Sequence, residues 1–131
     1  LFNEAGVPCV FWGDLLGSPE SDDLPAVREL PILMSIRARA AVGPQHNAFD
    51  NPDVVGFARE GKDEVPGSGC AVILSDRMGA EKTLYVGHRH AGQEWECVIG
   101  GHPSVRVADD GTLTGVVSDG GLSVYVPRSN A

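Results

Sequence analysis

Two histidines separated by one residue, His88 and His90, are the clearest candidates for chemistry in this sequence. On a β-strand this spacing places both rings on one face, where they could begin a zinc site. However, the sequence from His88 to Gly92 is typical of a turn, and no third ligand with zinc-site spacing lies beside it. His102 follows well downstream and has no Cys-x-x-Cys pair. The spacing therefore predicts a solvated turn rather than a metal centre.

The three cysteines, Cys9, Cys70 and Cys97, are the nucleophilic candidates. They are odd in number, lack metal-ligand spacing and stand in apolar or strand-like contexts. These features favour buried free thiols over a disulfide framework, a metal site or a catalytic thiol. The sequence also contains no G-x-S-x-G, phosphate-loop or H-E-x-x-H motif.

Three large aromatic residues, Trp12, Tyr85 and Trp95, have side chains of the kind that stack against sugar rings. They fall on separate predicted strands, whereas a sugar-binding platform needs its rings on one surface. The pattern therefore favours packing in the core over carbohydrate binding.

Composition narrows the classes of function. The 131 residues are 42% hydrophobic and 21% charged, which is sufficient for a packed core. The net charge of −8, without any cluster of Lys or Arg, argues against binding to nucleic acid or to an anionic membrane surface. No apolar run approaches the roughly 18 residues that span a bilayer. Because the chain lacks an initiator Met and a leader, we expect a fragment or a processed product, and the compartment stays open.

The first third of the chain has the pattern of an α/β unit. Residues 7–13 form an apolar run without alternation, which is typical of a strand buried on both faces of a parallel sheet. A helix is predicted from Leu24 to about Val42, ended by Gly43, with a kink or a division into two short helices at Pro31. One such strand and one helix cannot cover their own apolar faces, so we expect them to pack on neighbours outside this chain.

From Asp53 onward the apolar period changes to two, and turn signals recur about every ten residues. This pattern predicts an antiparallel β-sandwich or barrel. The predicted strands are Asp53–Glu60, Cys70–Asp76, Lys82–Gly87, Glu94–Ile99, Ser104–Ala108, Leu113–Val117 and Leu122–Val126.

Five segments, in order, resemble motifs of the α-amylases, in the Bacillus-like liquefying branch of glycoside hydrolase family 13. The first resembles the eighth-strand motif G-x-P-C-V-F-Y-G-D, and the others resemble D-I-I-G-W-T-R-E-G, S-G-L-A-A-L-I-T-D, Y-V-G-x-x-x-A-G-E-x-W and G-G-S-V-S-V-Y-V-P-R. The matching segments here are Gly6–Asp14, Asp53–Gly61, Ser68–Asp76, Tyr85–Trp95 and Gly120–Arg128. Together they cover nearly the whole chain.

The resemblance implies a mixed fold. Residues 1–50 would be the last strand and helix of a catalytic (β/α)8 barrel, and residues 51–131 an all-β antiparallel Greek-key sandwich. It also implies a retaining enzyme that cuts internal α-1,4-glucosidic bonds of starch or glycogen, α-glucan polysaccharides. In such enzymes the catalytic carboxylates follow the fourth, fifth and seventh barrel strands, upstream of residue 1. This fragment alone is therefore expected to be inactive, and Asp14 matches a family position that is not catalytic.

The resemblance further implies a calcium ion between barrel and sandwich. The matching positions are the backbone carbonyl of Pro52 and the carboxylates of Asp53 and Asp76. Calcium takes six to eight oxygen ligands, so these positions give an incomplete Ca2+ site whose other ligands belong to the barrel. The alternative is that the two aspartates only cap strand ends and turns.

Two segments depart from the family pattern. Cys97–Gly101 replaces D-I-T-G-N and Asp110–Gly115 replaces D-G-W-G-E-F, so polar or aromatic groups are lost and a surface carbohydrate site there is in doubt. The competing hypothesis for the chain is a non-catalytic β-sandwich, either a carbohydrate-binding module or a structural remnant.

Overall fold

The computed structural model describes Phe2 and residues 30–49, 53–76, 79–118 and 121–128. These residues form one α-helix, eight strands and a short 3-10 helix, His88–His90. The bounds are α1 Leu30–Ala40, β1 Gln45–Ala48, β2 Val54–Arg59, β3 Cys70–Ser75, β4 Ala80–Tyr85, β5 Glu94–Ile99, β6 Val105–Arg106, β7 Thr112–Val117 and β8 Leu122–Pro127. Within this part of the chain, no helix has the length and apolarity needed to cross a bilayer.

The strands form two antiparallel sheets. The larger sheet has the order β1-β2-β3-β8-β5-β6, and β4 pairs with β7 in the smaller one. Buried side chains from both sheets make a shared core that includes Ile73, Leu84, Trp95, Leu113 and Tyr125. The predicted antiparallel sandwich is thus confirmed, whereas its Greek-key connection stays a prediction.

Tyr125 ties the two sheets together. Its ring is fully buried on β8, and its hydroxyl oxygen lies 2.9 Å from the backbone nitrogen of Val116 on β7, which donates to it. Burial raises the pKa of this phenol. The ring fits because Gly115 has no side chain: a Cβ there would lie 2.7 Å from a ring carbon of Tyr125. A glycine in a strand interior marks this kind of close packing.

Helix α1 covers part of the other face of the large sheet. Phe2, Ile36 and Ala40 pack there against a second apolar cluster that includes Val72 and Val124. Side chains of the helix and of this face of the sheet therefore bury each other in one hydrophobic cluster.

The described part of the predicted helix is a single element from Leu30 to Ala40, so no division follows Pro31, which is its second described residue. Residues 24–29 and the predicted barrel strand at residues 7–13 lie outside the described residues. The barrel end at residues 1–50 accordingly stays a prediction.

Strand β1 has no counterpart among the sequence-based predictions. Its residues, Gln-His-Asn-Ala, have no apolar alternation, yet they pair with β2, and Gln45 lies opposite Arg59. The pairing is continued by a hydrogen bond of 2.9 Å from the backbone nitrogen of Glu60 to the carbonyl of Pro44. β1 lies on the N-terminal side of the predicted domain division at residue 50, and that division stays a prediction.

A compact junction follows the helix. The buried Arg59 donates from Nε to the carbonyl of Gly43 and from Nη1 to the carbonyl of Phe2, both over 2.8 Å. Gly43 has a φ of 84°, and its α-carbon lies so close to the next turn that a Cβ would stand 2.3 Å from the carbonyl oxygen of Gly61. Charge-assisted hydrogen bonds from one guanidinium thus fix the loop that leads from α1 into the sheet.

Candidate functional site

The predicted calcium ligands Asp53 and Asp76 lie side by side at one end of the large sheet. Because Val54 pairs with Ser75 in the antiparallel register, the aspartates that flank this pair face each other across the two strands. The backbone nitrogen of Asp76 donates to the carbonyl of Asp53 over 3.2 Å, and both residues are exposed. Pro52 lies outside the described residues.

This pair fits one side of a cation site. Two carboxylates offer hard oxygen ligands of the kind calcium prefers. Among the described residues, however, no group of three or more His, Cys, Asp or Glu side chains is placed to hold a metal ion. Further oxygens from other parts of the protein would be needed, and the same backbone hydrogen bond also suits the alternative of two aspartates that cap strand ends.

The two candidate zinc ligands, His88 and His90, lie in the 3-10 helix and have different environments. His88 is exposed, as predicted for a solvated turn, and its Nδ1 lies 2.7 Å from the Tyr85 hydroxyl. The prediction is wrong for His90, which is 5% exposed. Its Nε2 donates to the carbonyl of Glu60 over 2.6 Å, and its Nδ1 lies 2.8 Å from the amide oxygen of Gln93. His90 is therefore a buried structural residue whose ring nitrogens are both hydrogen-bonded.

An ionic network at this end of the sandwich has no counterpart among the sequence-based predictions. Glu60 accepts from Nε2 of His46 over 3.0 Å and lies 3.4 Å from Nε of Arg89. Arg89 also donates to Asp63 over 3.0 Å. The hydrogen bond from His46, with further attraction from Arg89, holds the pKa of the Glu60 carboxyl below its usual range. The network depends on β1, which positions His46. Because β1 has no apolar alternation, the sequence did not predict this strand.

The lowered pKa of Glu60 makes part of the folding stability depend on pH. A carboxyl whose pKa is lower in the folded state contributes stability above its ordinary pKa of 4.5, and this contribution is lost as the pH falls through the folded value. We expect Glu60→Gln to cost about 1 kcal/mol near neutral pH and to flatten the decline in stability between about pH 5 and pH 3. Urea unfolding at several pH values measures this difference. Glu64→Gln, at an exposed position in the adjacent turn, is the control; equal pH dependence in both variants would contradict the assignment.

The network does not have the features of a glycosidase centre. A general acid needs a carboxyl whose pKa is raised, whereas the pKa of Glu60 is lowered. Asp63 is the other carboxylate that contacts Arg89, and its side chain is 90% exposed. The arrangement is suited to fixing β1 and the turn that carries Arg89, not to protonating a leaving group.

The cysteines and aromatic residues have mostly structural positions. Cys70 and Cys97 are free thiols, and burial raises the pKa of Cys70 to about 12, which makes it unreactive. Cys97 is half-buried and donates to the carbonyl of Ile99 over 2.9 Å. Trp95 is fully buried, as predicted. Cys9 and Trp12 lie outside the described residues.

Tyr85 does not follow the prediction of core packing. It is half-buried, and its ring stands between two histidine rings. The centroid distances are 4.9 Å to His46, with an interplanar angle of 74°, and 5.4 Å to His88, with an angle of 65°. This edge-on geometry is a favoured aromatic arrangement, and it holds the ring at the surface beside the ionic network.

Comparison with curated proteins gives matches over almost the whole chain. The chain is 38% identical over 130 residues to an α-amylase of Geobacillus stearothermophilus, and 35% identical over 132 residues to one of Bacillus licheniformis. It is 34% identical over 137 residues to the cytoplasmic α-amylase of Escherichia coli strain K12. These matches cover 98%, 98% and 96% of the chain, which spans only 24%, 26% and 27% of the relatives' lengths. No protein-family model matches.

Among solved structures, the fold is similar to part of a crystal structure of an AmyP variant in complex with maltotriose. The TM-score is 0.54 over 88% of this chain and 23% of that one, at 14% sequence identity. At this identity the likeness concerns the fold alone.

Proposed function

The chain belongs to the α-amylase family, and we propose that the complete protein containing these residues is an endo-acting α-amylase. The observation that carries the proposal is the identity of 34–38% to α-amylases over 96–98% of the chain. The substrate class would be α-1,4-linked glucan, in keeping with the maltotriose bound in the similar AmyP structure. These residues would form its non-catalytic C-terminal part.

A retaining mechanism requires two carboxyl groups about 5–5.5 Å apart, one as nucleophile and one as acid/base. We expect both from parts of the protein outside these 131 residues. We propose a structural role for the sandwich, because its described core lies between the two sheets and its helix-covered face carries a second apolar cluster. That face includes an apolar groove of about 290 Å³ lined by Phe57, Val72, Leu74, Leu122 and their neighbours, and Leu74 is 41% exposed. We expect the catalytic barrel to bury this groove.

The test is hydrolysis of soluble starch by the protein encoded by the complete reading frame, compared with the 131-residue chain alone. We expect the complete protein to lower viscosity faster than it releases reducing ends, as internal cleavage does, and the isolated chain to do neither. A complete protein without hydrolytic activity would leave the non-catalytic sandwich as the correct alternative. Hydrolysis by the 131-residue chain would refute its assignment as the non-catalytic part.

We further propose that Asp53 and Asp76, with the carbonyl of Pro52, contribute to a calcium site in the complete protein. Support comes from the cross-strand placement of the two aspartates, which joins the start of β2 to the end of β3. A bound calcium ion would supply a structural link between this end of the sandwich and the barrel, with no part in bond cleavage.

Calcium is accordingly expected to raise the melting temperature of the complete protein and to have no effect on the isolated chain at about 1 mM, because two aspartates supply too few ligands. Asp76→Ala should abolish the calcium-dependent part of the shift. Asp109→Ala, in an exposed turn between β6 and β7, is the matched control. The proposal fails if calcium leaves the melting temperature of the complete protein unchanged.

A further inference from the structure

Strand β1 lies at the edge of the large sheet, and none of its four residues is fully buried. Ala48 alone packs partly against the core between the sheets. The chain is anchored on both sides of β1. Before it, Arg59 donates to the carbonyl of Gly43 over 2.8 Å, and after it, Val54 pairs with Ser75 of β3. β1 can therefore leave the sheet and return while these two anchors stay in place.

One carboxylate, that of Glu60, joins β1 to the 3-10 helix. Nε2 of His46 lies 3.0 Å from one of its oxygens, and Nε of Arg89 lies 3.4 Å from the other. The Glu60 side chain is only 19% exposed, so water screens these contacts less than it screens a fully exposed ion pair. The His46 ring also packs edge-on against Tyr85 of β4. Glu60 thus holds two basic side chains from different elements close together.

The neighbouring titratable side chains have other partners. Those on the elements around this contact are Asp63, Glu81, Lys82, Tyr85, His88 and His90. Asp63 accepts from Arg89, and His90 donates to the backbone carbonyl of Glu60 rather than to its carboxylate. His88 contacts the Tyr85 hydroxyl and is attracted by Asp110, whereas Glu81 and Lys82 lie beside Phe49 at the other end of β1. Within the described part of the chain, the carboxylate that contacts His46 is thus that of Glu60.

Acidification reverses the balance of forces on β1. The hydrogen bond from His46, with further attraction from Arg89, holds the pKa of the Glu60 carboxyl below its ordinary value of 4.5. The attraction is therefore fully present above that ordinary value and is lost as the pH falls through the lowered one. Imidazole and guanidinium groups are positively charged under such acidic conditions. His46 and Arg89 then repel each other across a neutral carboxyl.

We propose that the contact between His46 and Glu60 is an acid-sensitive switch, which releases β1 from β2 while the rest of the sandwich stays folded. The anchor at Gly43 persists, because the guanidinium of Arg59 keeps its charge in acid. The core also persists, since its fully buried members lie on other strands. Because β1 follows α1 closely in the chain, the switch adjusts how firmly the helical segment is attached to the sandwich. This proposal concerns the opening of one strand and does not depend on the proposed function.

The test is hydrogen–deuterium exchange of the complete protein, followed by mass spectrometry at about pH 7 and about pH 4 and corrected for the intrinsic pH dependence of exchange. Between these pH values we expect the β1 peptide to lose protection at least about tenfold, the factor that corresponds to one unit of pKa difference. The β3 peptide, Cys70–Ser75, should change by less than about twofold. Neutralising the sample should restore the protection of β1.

Three variants separate the contact from the general charge of the cluster. Glu60→Gln puts a neutral amide in place of the carboxylate, so it should lower the protection of β1 at neutral pH and remove most of its pH dependence. His46→Gln keeps a hydrogen-bond donor without the charge, so β1 should lose less protection in acid. Asp63→Asn is the matched control: Asp63 also contacts Arg89, but its side chain is 90% exposed, and we expect the pH dependence of β1 to stay.

Either of two results would overturn the proposal. If β1 and β3 lose protection together in acid, the sandwich unfolds as a whole and β1 has no switch of its own. If Asp63→Asn alters the pH dependence of β1 as much as Glu60→Gln does, the effect comes from the charge of the whole cluster and not from the contact between His46 and Glu60. Starch hydrolysis enters neither measurement, so failure of the switch is distinguishable from failure of the proposed function.

Discussion

Replacing Trp95 with alanine should destabilise the folded sandwich by about 3–5 kcal/mol, the usual range for removing a fully buried large aromatic side chain. The indole is fully buried and packs edge-on against the His90 ring, with centroids 5.0 Å apart. Its loss would leave a cavity between the sheets and remove the support of a buried histidine. Because small domains are stable by only about 5–15 kcal/mol, much of the total would be lost.

Urea unfolding followed by far-ultraviolet circular dichroism measures this effect. Trp95→Phe keeps most of the ring volume and should cost less than the alanine variant. Leu74→Ala, which truncates a side chain that is 41% exposed on the other face of the sheet, should cost less than about 1 kcal/mol in the 131-residue chain. A Trp95→Ala cost as small as that of Leu74→Ala would contradict the position of the indole in the core.

Gly43→Ala should be destabilising for two separable reasons, and we expect a total cost of about 3 kcal/mol or more. The φ of 84° is a left-handed conformation that costs an L-residue roughly 1–2 kcal/mol. In addition, the new Cβ would lie 2.3 Å from the carbonyl oxygen of Gly61, so the backbone of the junction would have to move. That movement would disturb the hydrogen bond from Arg59 to the Gly43 carbonyl.

Gly67 provides the matched control. Its φ is 76°, close to that of Gly43, but nothing lies within 4 Å of the position that a Cβ would occupy. Gly67→Ala therefore reports the conformational cost alone, and the difference between the two variants in free energy of unfolding isolates the contact with Gly61. Equal costs for the two substitutions would show that the junction can relax.

The sequence predicted those strands whose apolar alternation matches their burial against the core. Alternation and turn residues predicted seven strands, from β2 to β8, because each has one face against a shared core. The pattern was uninformative for β1, whose polar residues are held by backbone pairing with β2 at the edge of the sheet. Edge strands need no apolar alternation when main-chain hydrogen bonds hold them.

Contacts between residues far apart in the sequence account for two features of the candidate site that the sequence analysis did not predict. His46 reaches Glu60 only because β1 lies beside β2, and His90 is buried because its Nε2 meets a carbonyl 30 positions earlier in the chain. Such contacts between distant residues leave no trace in local spacing. Asp53 and Asp76, by contrast, were identified from the sequence. The family resemblance named them as calcium ligands, and the register of β2 and β3 places them opposite each other.

The position of β8 has a consequence for how the protein is made. This strand is the last of the described elements along the chain, yet it occupies the middle of the large sheet, between β3 and β5. During synthesis the β1–β3 and β5–β6 halves therefore leave the ribosome with an open seam between them, whose backbone groups await a partner. The seam closes only after translation has delivered Leu122–Pro127, and until then the facing edges of β3 and β5 can pair with other chains.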